Sequence, residues 1–169
     1  MRCFISIDFP VEKKAKKLIE ELSGMRGVKC VATLHLTLNF LGEVDDIEPA
    51  KKAMDELGSY RRFNAELRGI GAFPNEKNVR VIWLGVKDDG TSASIAEKLC
   101  NDLKNCDKPF VPHATLARVK HGGDNCREFI KEHRDETIGV YEVNSIFLKK
   151  STLAPGGPIY ENLYEVKLH

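Results

Sequence analysis

Two tetrapeptides with side chains suited to proton transfer recur in this chain of 169 residues. His35-Leu36-Thr37-Leu38 returns as His113-Ala114-Thr115-Leu116, an offset of 113 − 35 = 78 residues. The chain holds five His, six Thr and sixteen Leu. At those frequencies, two histidines carrying Thr at +2 and Leu at +3 arise by chance with odds of roughly one in ten thousand. Imidazole has an unperturbed pKa of about 6.5, so near neutrality one copy can accept a proton while the other donates one. Each such role is worth about 10² to 10⁴ in rate. The threonine hydroxyls can donate to oxygens on which charge builds up in a transition state. Together these groups suit in-line phosphoryl transfer, where attacking and leaving oxygens lie on opposite sides of phosphorus.

Other chemistries fit less well. A single strand histidine is usually a hydrogen-bonded structural residue, but matched copies in matched contexts weigh against that reading. Zinc would need a third ligand that no spacing marks, and His-Glu-x-x-His is absent. There is no Gly-x-Ser-x-Gly, no Walker loop and no Gly-x-Gly-x-x-Gly. The five cysteines include no Cys-x-x-Cys. Cys100 and Cys106 stand 106 − 100 = 6 apart, unlike a zinc knuckle, so all five are read as free thiols in a reducing compartment. His121, in a His-Gly-Gly loop beside the second motif, is a candidate substrate contact. His133 and His169 are expected in solvent. Phe4 and Tyr160 are candidates to stack on a base, with core packing the competing reading for Phe4. The run Lys13 to Lys17 reads as the polar face of a helix. Arg61, Arg62, Arg68 and Arg80 are candidates to line an RNA groove.

The elements that must position the pair follow from periodicity. Apolar, β-branched and aromatic runs predict strands at 2–8, 34–41, 63–72, 79–86, 113–119, 138–149 and 158–168. Helical spacing predicts helices at 11–25, 46–58, 92–104 and 124–133. The first puts Val11, Ala15, Leu18, Ile19 and Leu22 on one face. The second carries Asp45, Asp46 and Glu48 near its start, where they complement the helix dipole. Asp124 is a candidate cap for the fourth. Sliding the chain by 78 residues lays strand on strand and helix on helix. The expected fold is therefore α+β, an internal duplication with units of roughly 1–78 and 79–169 inside one bilobal domain. No linker separates the halves, so they should share a cleft.

On a strand, residues i and i+2 face the same way. His35 and Thr37 therefore share a face, as do His113 and Thr115, while Leu36, Leu38, Ala114 and Leu116 turn to the core. Arg118 lies an odd number of residues from His113, so simple alternation puts it on the wrong side. A bulge would bring it round.

Bulk properties narrow the partners. A net charge of +1 excludes a strongly basic nucleic-acid coat but not a local basic cleft. Hydrophobic residues make up 42% and charged residues 30%, as in a soluble globular protein. The apolar run Cys3 to Ile7 is too short for a secretory signal, and no stretch is long enough to span a bilayer. A cytoplasmic protein with no membrane partner is expected.

The motifs resemble those of the 2H phosphoesterase superfamily, and within it the RNA 2′,3′-cyclic phosphodiesterases of the LigT type. The resemblance runs from Met1-Arg2-Cys3-Phe4-Ile5 through His35-Leu36-Thr37-Leu38-Asn39-Phe40-Leu41-Gly42 and Pro112 to Arg118, ending at Gly157-Pro158-Ile159-Tyr160. It implies two antiparallel sheets flanked by helices, related by a pseudo-two-fold, with the active-site cleft between lobes. It implies opening of terminal 2′,3′-cyclic phosphates to 2′-phosphates without a metal or other cofactor. RNA ends, tRNA fragments among them, would be the partners of a monomer. By the same resemblance His35 is the proton donor to the leaving 3′ oxygen and His113 the acceptor that activates water. Thr37, Thr115 and Arg118 would hold the phosphate. Some members also join RNA ends through a 2′,5′ linkage. Two alternatives stay open: a phosphodiesterase for a small cyclic nucleotide or ADP-ribose cyclic phosphate, and a non-catalytic RNA-end binding module.

Overall fold

The structure is a computed structural model that describes residues 1–106, 109–122 and 124–169. The chain runs β1 (Arg2–Phe9), α1 (Lys13–Ser23), β2 (Val28–Cys30), β3 (Leu34–Glu43), α2 (Glu48–Asp55), β4 (Phe63–Asn75), β5 (Asn78–Lys87), α3 (Thr91–Leu103), β6 (His113–Val119), α4 (Asp124–Glu132), β7 (Thr137–Val143), β8 (Ser145–Ala154) and β9 (Gly157–Lys167). Among the described residues every strand pair is antiparallel. The order is β7-β4-β5-β6-β3-β1-β8-β9, with β2 added on β6.

The α+β class and the antiparallel halves are as expected, and the halves fuse along β3 and β6. The ladder there is one pair, Leu36 with Ala114. These are equivalent residues of the two copies, since 114 − 36 = 78. A pseudo-two-fold axis therefore passes between them. Outward from it β6 matches β3, β5 matches β1, β4 matches β8 and β7 matches β9. The halves of the sheet are not the halves of the sequence. β4 leaves the first copy to pair with β5, and β8 leaves the second to pair with β1.

The helices follow the same exchange. α1 packs near β2, β6 and β7, and α4 packs on β4. α2 and α3 pack on each other, with α3 over β3 and α2 over β8 and β9. α1 buries Ala15, Leu18 and Leu22 and exposes Lys13, Lys14, Lys16 and Lys17, so the lysine run is its polar face. At α2 the Asp46 carboxylate accepts from the Glu48 amide at 3.0 Å, a local use of the acidic start. The expected helix at 46–58 tightens after Asp55 into a 3₁₀ turn, Glu56–Ser59. The side chain of Asp124, the candidate cap, lies outside the described residues.

Three expectations need correction. The strand predicted at 138–149 is two strands parted by Asn144. β7 lies at one edge of the sheet and β8 beside the other edge, so a one-residue link requires the sheet to curl until these ends meet. The junction Val143-Asn144-Ser145 holds no glycine or proline, so it lacks the strongest turn signals. The three-residue β2 is too short to register as a strand. Cys100 and Cys106, read as free thiols, are joined in a disulfide. Lys104 ends α3 in a left-handed conformation with φ of 52°. The chain then folds back until the two cysteine Cα atoms are 4.7 Å apart, within bonding range. Cys3, Cys30 and Cys126 are free.

Leu36 and Ala114 are 1% and 0% exposed, so the seam is closed on its core side by apolar packing. Leu36→Ala should cost about 2–5 kcal/mol, the usual range for a buried leucine that leaves a cavity. Denaturant unfolding checks the value, and a loss near zero would show that the seam does not carry the packing.

Candidate active site

Local strand irregularity decides which side chains reach the cleft. On β1 and β3, Ile5 pairs with Asn39 and Ser6 with Thr37, which leaves Leu38 unmatched. On β5 and β6, Ile82 pairs with Ala117 and Trp83 with Thr115, which leaves Leu116 unmatched. Leu38 and Leu116 are the fourth residues of the two tetrapeptides. Each is the extra residue of a β-bulge, and past it alternation resumes with the opposite parity. Arg118 therefore turns to the same side as His113 and Thr115. Its equivalent in the first copy is Phe40, with 118 − 78 = 40. The Arg2 guanidinium sits 5.1 Å from the centre of that ring.

The structure brings His35, Thr37, His113, Thr115, Arg118 and Tyr160 to one cleft of about 570 Å³. Continuing the register of the seam sets Thr115 opposite His35 and His113 opposite Thr37, so each histidine faces the other copy's threonine. Lys29 on β2 completes the floor and pairs directly across from Arg118. Two cations opposite each other repel unless an anion lies between them. The tip of the β8–β9 hairpin closes over Lys29. Gly157 at that tip has φ of +126°, which favours glycine, and a Cβ there would lie 3.9 Å from the lysine Nζ. No carboxylate is among the described residues lining this cleft.

The two histidines sit in different surroundings. His113 Nδ1 lies 2.6 Å from the Val111 carbonyl. A carbonyl can only accept, so in the neutral ring Nδ1 carries the proton and Nε2 keeps its lone pair. Phe73 meets this ring edge-on at 4.9 Å, and Trp83 lies 6.0 Å away. Gly71, opposite Trp83, makes room for the indole, because a Cβ at Gly71 would meet that ring at 2.3 Å. Burial lowers the pKa of His113; the Val111 carbonyl opposes the shift and Arg118 adds to it. His35 has no hydrogen-bond partner among the described residues. Its ring is caged by Phe4 at 5.2 Å and Tyr160 at 5.2 Å. Burial pushes it down to about 4, with Asp8 resisting and Lys149, His113 and Arg118 adding to the fall.

A second cavity of about 610 Å³ shares Thr37 and His113 with the cleft and is walled by Asn39, Phe110 and the disulfide. Asn39 holds that wall. Its amide donates to the Asn105 carbonyl at 2.8 Å, and the Asn105 amide returns a bond to the Phe40 carbonyl at 2.8 Å.

Other candidates fall elsewhere. Phe4 is 3% exposed and lies beneath His35 and Tyr160, a packing position. His121 lines a separate cavity with Arg26 and Asn125. His133, expected in solvent, is instead held between Glu136 and Glu21. Arg61, Arg62, Arg68 and Arg80 are exposed and none lines the cleft. Lys29 and the hairpin tip escaped sequence reasoning. Val28-Lys29-Cys30 is a short polar-centred stretch, and only the Gly156-Gly157 turn hinted that a hairpin would reach the site.

A two-lobed antiparallel α+β fold with paired His-x-Thr strands across one cleft defines a class of phosphoesterase. The profile of the 2′-5′ RNA ligase superfamily matches residues 11–149, and the chain belongs to that family. A relative from Archaeoglobus fulgidus is 37% identical, covering 96% of this chain and 98% of its own, and is named RNA 2′,3′-cyclic phosphodiesterase. A relative of the same name from Methanocaldococcus jannaschii is also 37% identical, covering 98% and 99%. Among solved structures, TT0787 of Thermus thermophilus superposes with a TM-score of 0.80 at 32% identity, over 99% of this chain and 97% of that one. Apo LigT of E. coli superposes with a TM-score of 0.74 at 27% identity, over 99% and 96%.

Trp83 is the sole tryptophan and neighbours His113, so its emission reports that ring. A protonated imidazole quenches indole. A fluorescence titration of the free protein should therefore show quenching as pH falls, with a midpoint below the ordinary histidine value of 6.5. The step should vanish in His113→Gln. A midpoint above 6.5 would contradict the burial described.

Proposed function

We propose that this chain hydrolyses RNA 2′,3′-cyclic phosphate ends to 2′-phosphates, with the two motif histidines dividing the proton transfers. The observation that carries the reading is the cleft itself: two imidazoles from equivalent strands, beside the juxtaposed cations Lys29 and Arg118, with no carboxylate in the described lining. The names of the curated relatives support the substrate. A solved LigT complex with 3′-AMP supports a nucleotide-sized cleft.

The steps follow from the tautomer. His113 Nε2 takes a proton from water, and the water oxygen bonds to phosphorus. The bond from phosphorus to the 3′ oxygen breaks, and His35 gives its proton to that oxygen. A 2′-phosphate and a 3′ hydroxyl result. Thr37, Thr115 and Arg118 donate hydrogen bonds to the non-bridging oxygens as their charge grows. Lys29 adds positive charge on the same side. The cleft is assembled within one chain, which suits a monomer. The sharing of Thr37 and His113 by two cavities, each large enough for a nucleotide, favours a polymer end over a lone cyclic nucleotide. Run backwards with a 5′ hydroxyl in place of water, the same site would join ends through a 2′,5′ linkage.

A short RNA ending in 2′,3′-cyclic phosphate, incubated in EDTA, should yield a 2′-phosphate. His35→Ala and His113→Ala should each lose about 10² to 10⁴ in kcat. A 3′-phosphate product, or turnover that survives either substitution, would overturn the mechanism.

The pH dependence has a definite sign. The acid limb of the bell marks protonation of the base, and the alkaline limb marks loss of the proton from the acid. Both histidines are depressed in the free site. The kcat/KM bell, which reports the free enzyme, should therefore fall away on its alkaline side below 6.5, the ordinary histidine value. A bound phosphodiester anion favours both imidazolium forms, so the kcat bell should lie at higher pH. The two apparent values belong to the coupled pair. Coincident kcat and kcat/KM profiles would contradict the reading.

A further inference from the structure

We propose that Asp8 and Lys149 form a charge couple that tunes His35 for its part in catalysis, making both of them positioning residues that act through the imidazole. The proposal rests on the function argued above and assigns residues of that same site.

Asp8 is the direct cross-strand partner of His35, as Ser6 is of Thr37. Cross-strand partners share a face, so the carboxylate stands on the imidazole's side of the sheet, outside the lining of the catalytic cleft. Lys149 reaches it from β8, with Nζ 2.7 Å from Asp8 Oδ2 and its side chain 11% exposed. Ser6, fully buried, donates its hydroxyl to Asp8 Oδ1 at 3.3 Å. A small cavity behind the site is lined by Asp8, Thr33, Lys149, Tyr160 and Asn162. Tyr160 lines the catalytic cleft as well.

Lys149 is buried and Asp8 is partly open to solvent, so desolvation of the lysine and screening of the carboxylate leave the pair little to add to stability. What this pair supplies is a local field on His35. The second copy lacks it. The residue across from His113 is Gly85, and the sequence equivalent of Asp8 is Val86, with 8 + 78 = 86. His113 instead bonds the Val111 carbonyl. One histidine is thus governed by a carbonyl that fixes its tautomer, the other by a balanced pair of charges.

The charged and titratable groups facing His35 are Asp8 from β1, Lys149 from β8, Tyr160 from β9, His113 and Arg118 from β6, and Lys29 from β2 along the same cleft. Of these, Asp8 favours the imidazolium and Lys149 opposes it. A proton donor needs that form, and Lys149 keeps the carboxylate from holding the proton too firmly.

The test is an NMR titration of the His35 imidazole in the free, full-length protein, with kcat profiles on the cyclic-phosphate RNA beside it. Asp8→Asn should move the His35 midpoint down by roughly one pH unit, the lower end of the range for a nearby charge. Lys149→Met should move it up. The double variant D8N/K149M should return it toward the wild-type value, and it also covers the case in which Asp8→Asn leaves a buried lysine unpaired and folds poorly. The alkaline limb of kcat should shift in the same directions. Shifts of the same sign in both single variants, or a His35 midpoint that moves in none of the three, would overturn the proposal. Because the titration needs no turnover, it separates this couple from the substrate: opposite shifts without turnover of the RNA would leave the couple standing and the hydrolysis reading failed.

Discussion

The pairing of Leu36 with Ala114 is the constraint on which the rest of the structure depends. It joins equivalent positions of two copies, so it defines the pseudo-two-fold axis and places both His-x-Thr strands beside it. A slip of one residue at this seam would turn every side chain of one strand to the other face. His35 and Thr37 would then point into the core and Leu36 into the cleft. Burial of Leu36 and Ala114 opposes that slip, so the apolar members of each tetrapeptide aim the polar ones.

The seam is short because the strands part where the chemistry begins. Leu38 and Leu116 are each the extra residue of a bulge one position beyond the threonines. A bulge increases local twist and bends the strand. Here the bends occur in equivalent places, which lets the halves diverge around a space while staying hydrogen-bonded at the axis. The same bulge brings Arg118 to the cleft in one copy and directs Phe40 to the neighbouring cavity in the other. A symmetric backbone thereby carries an asymmetric set of side chains.

Much of this was legible in the sequence, and the limits have physical causes. The repeat, the four helices and most strands follow from spacing, because each buries one face against a sheet. Even the need for a bulge before Arg118 follows from parity. The exchange of β4 and β8 between halves leaves no trace, since alternation tells which face a strand buries and not which strand it joins. The break at Asn144 has no glycine or proline to announce it. Lys29 and Lys149 each reach their places by cross-strand pairing at long range, and nothing near them in the chain marks either for a site. The disulfide needs the left-handed turn at Lys104, which no favoured residue announces.

The strand exchange also bears on why the site is held firmly. If each copy folded as its own lobe, the lobes would meet only along β3 and β6, through a single ladder pair, and could open like a hinge. Instead β4 ties the first copy to β5 and β6, and β8 ties the second to β1 and β3. Separating the two copies would break these long ladders, while the two halves of the sheet are joined by the one-pair seam and by the chain connections that cross it. The one-residue link at Asn144 and the hairpin tip over Lys29 add further ties across the same axis. Acid–base catalysis on one phosphate needs its two imidazoles held at a fixed separation. Here each half of the sheet is built from strands of both copies, so the chain crosses the axis repeatedly and a weak seam can carry a precise site.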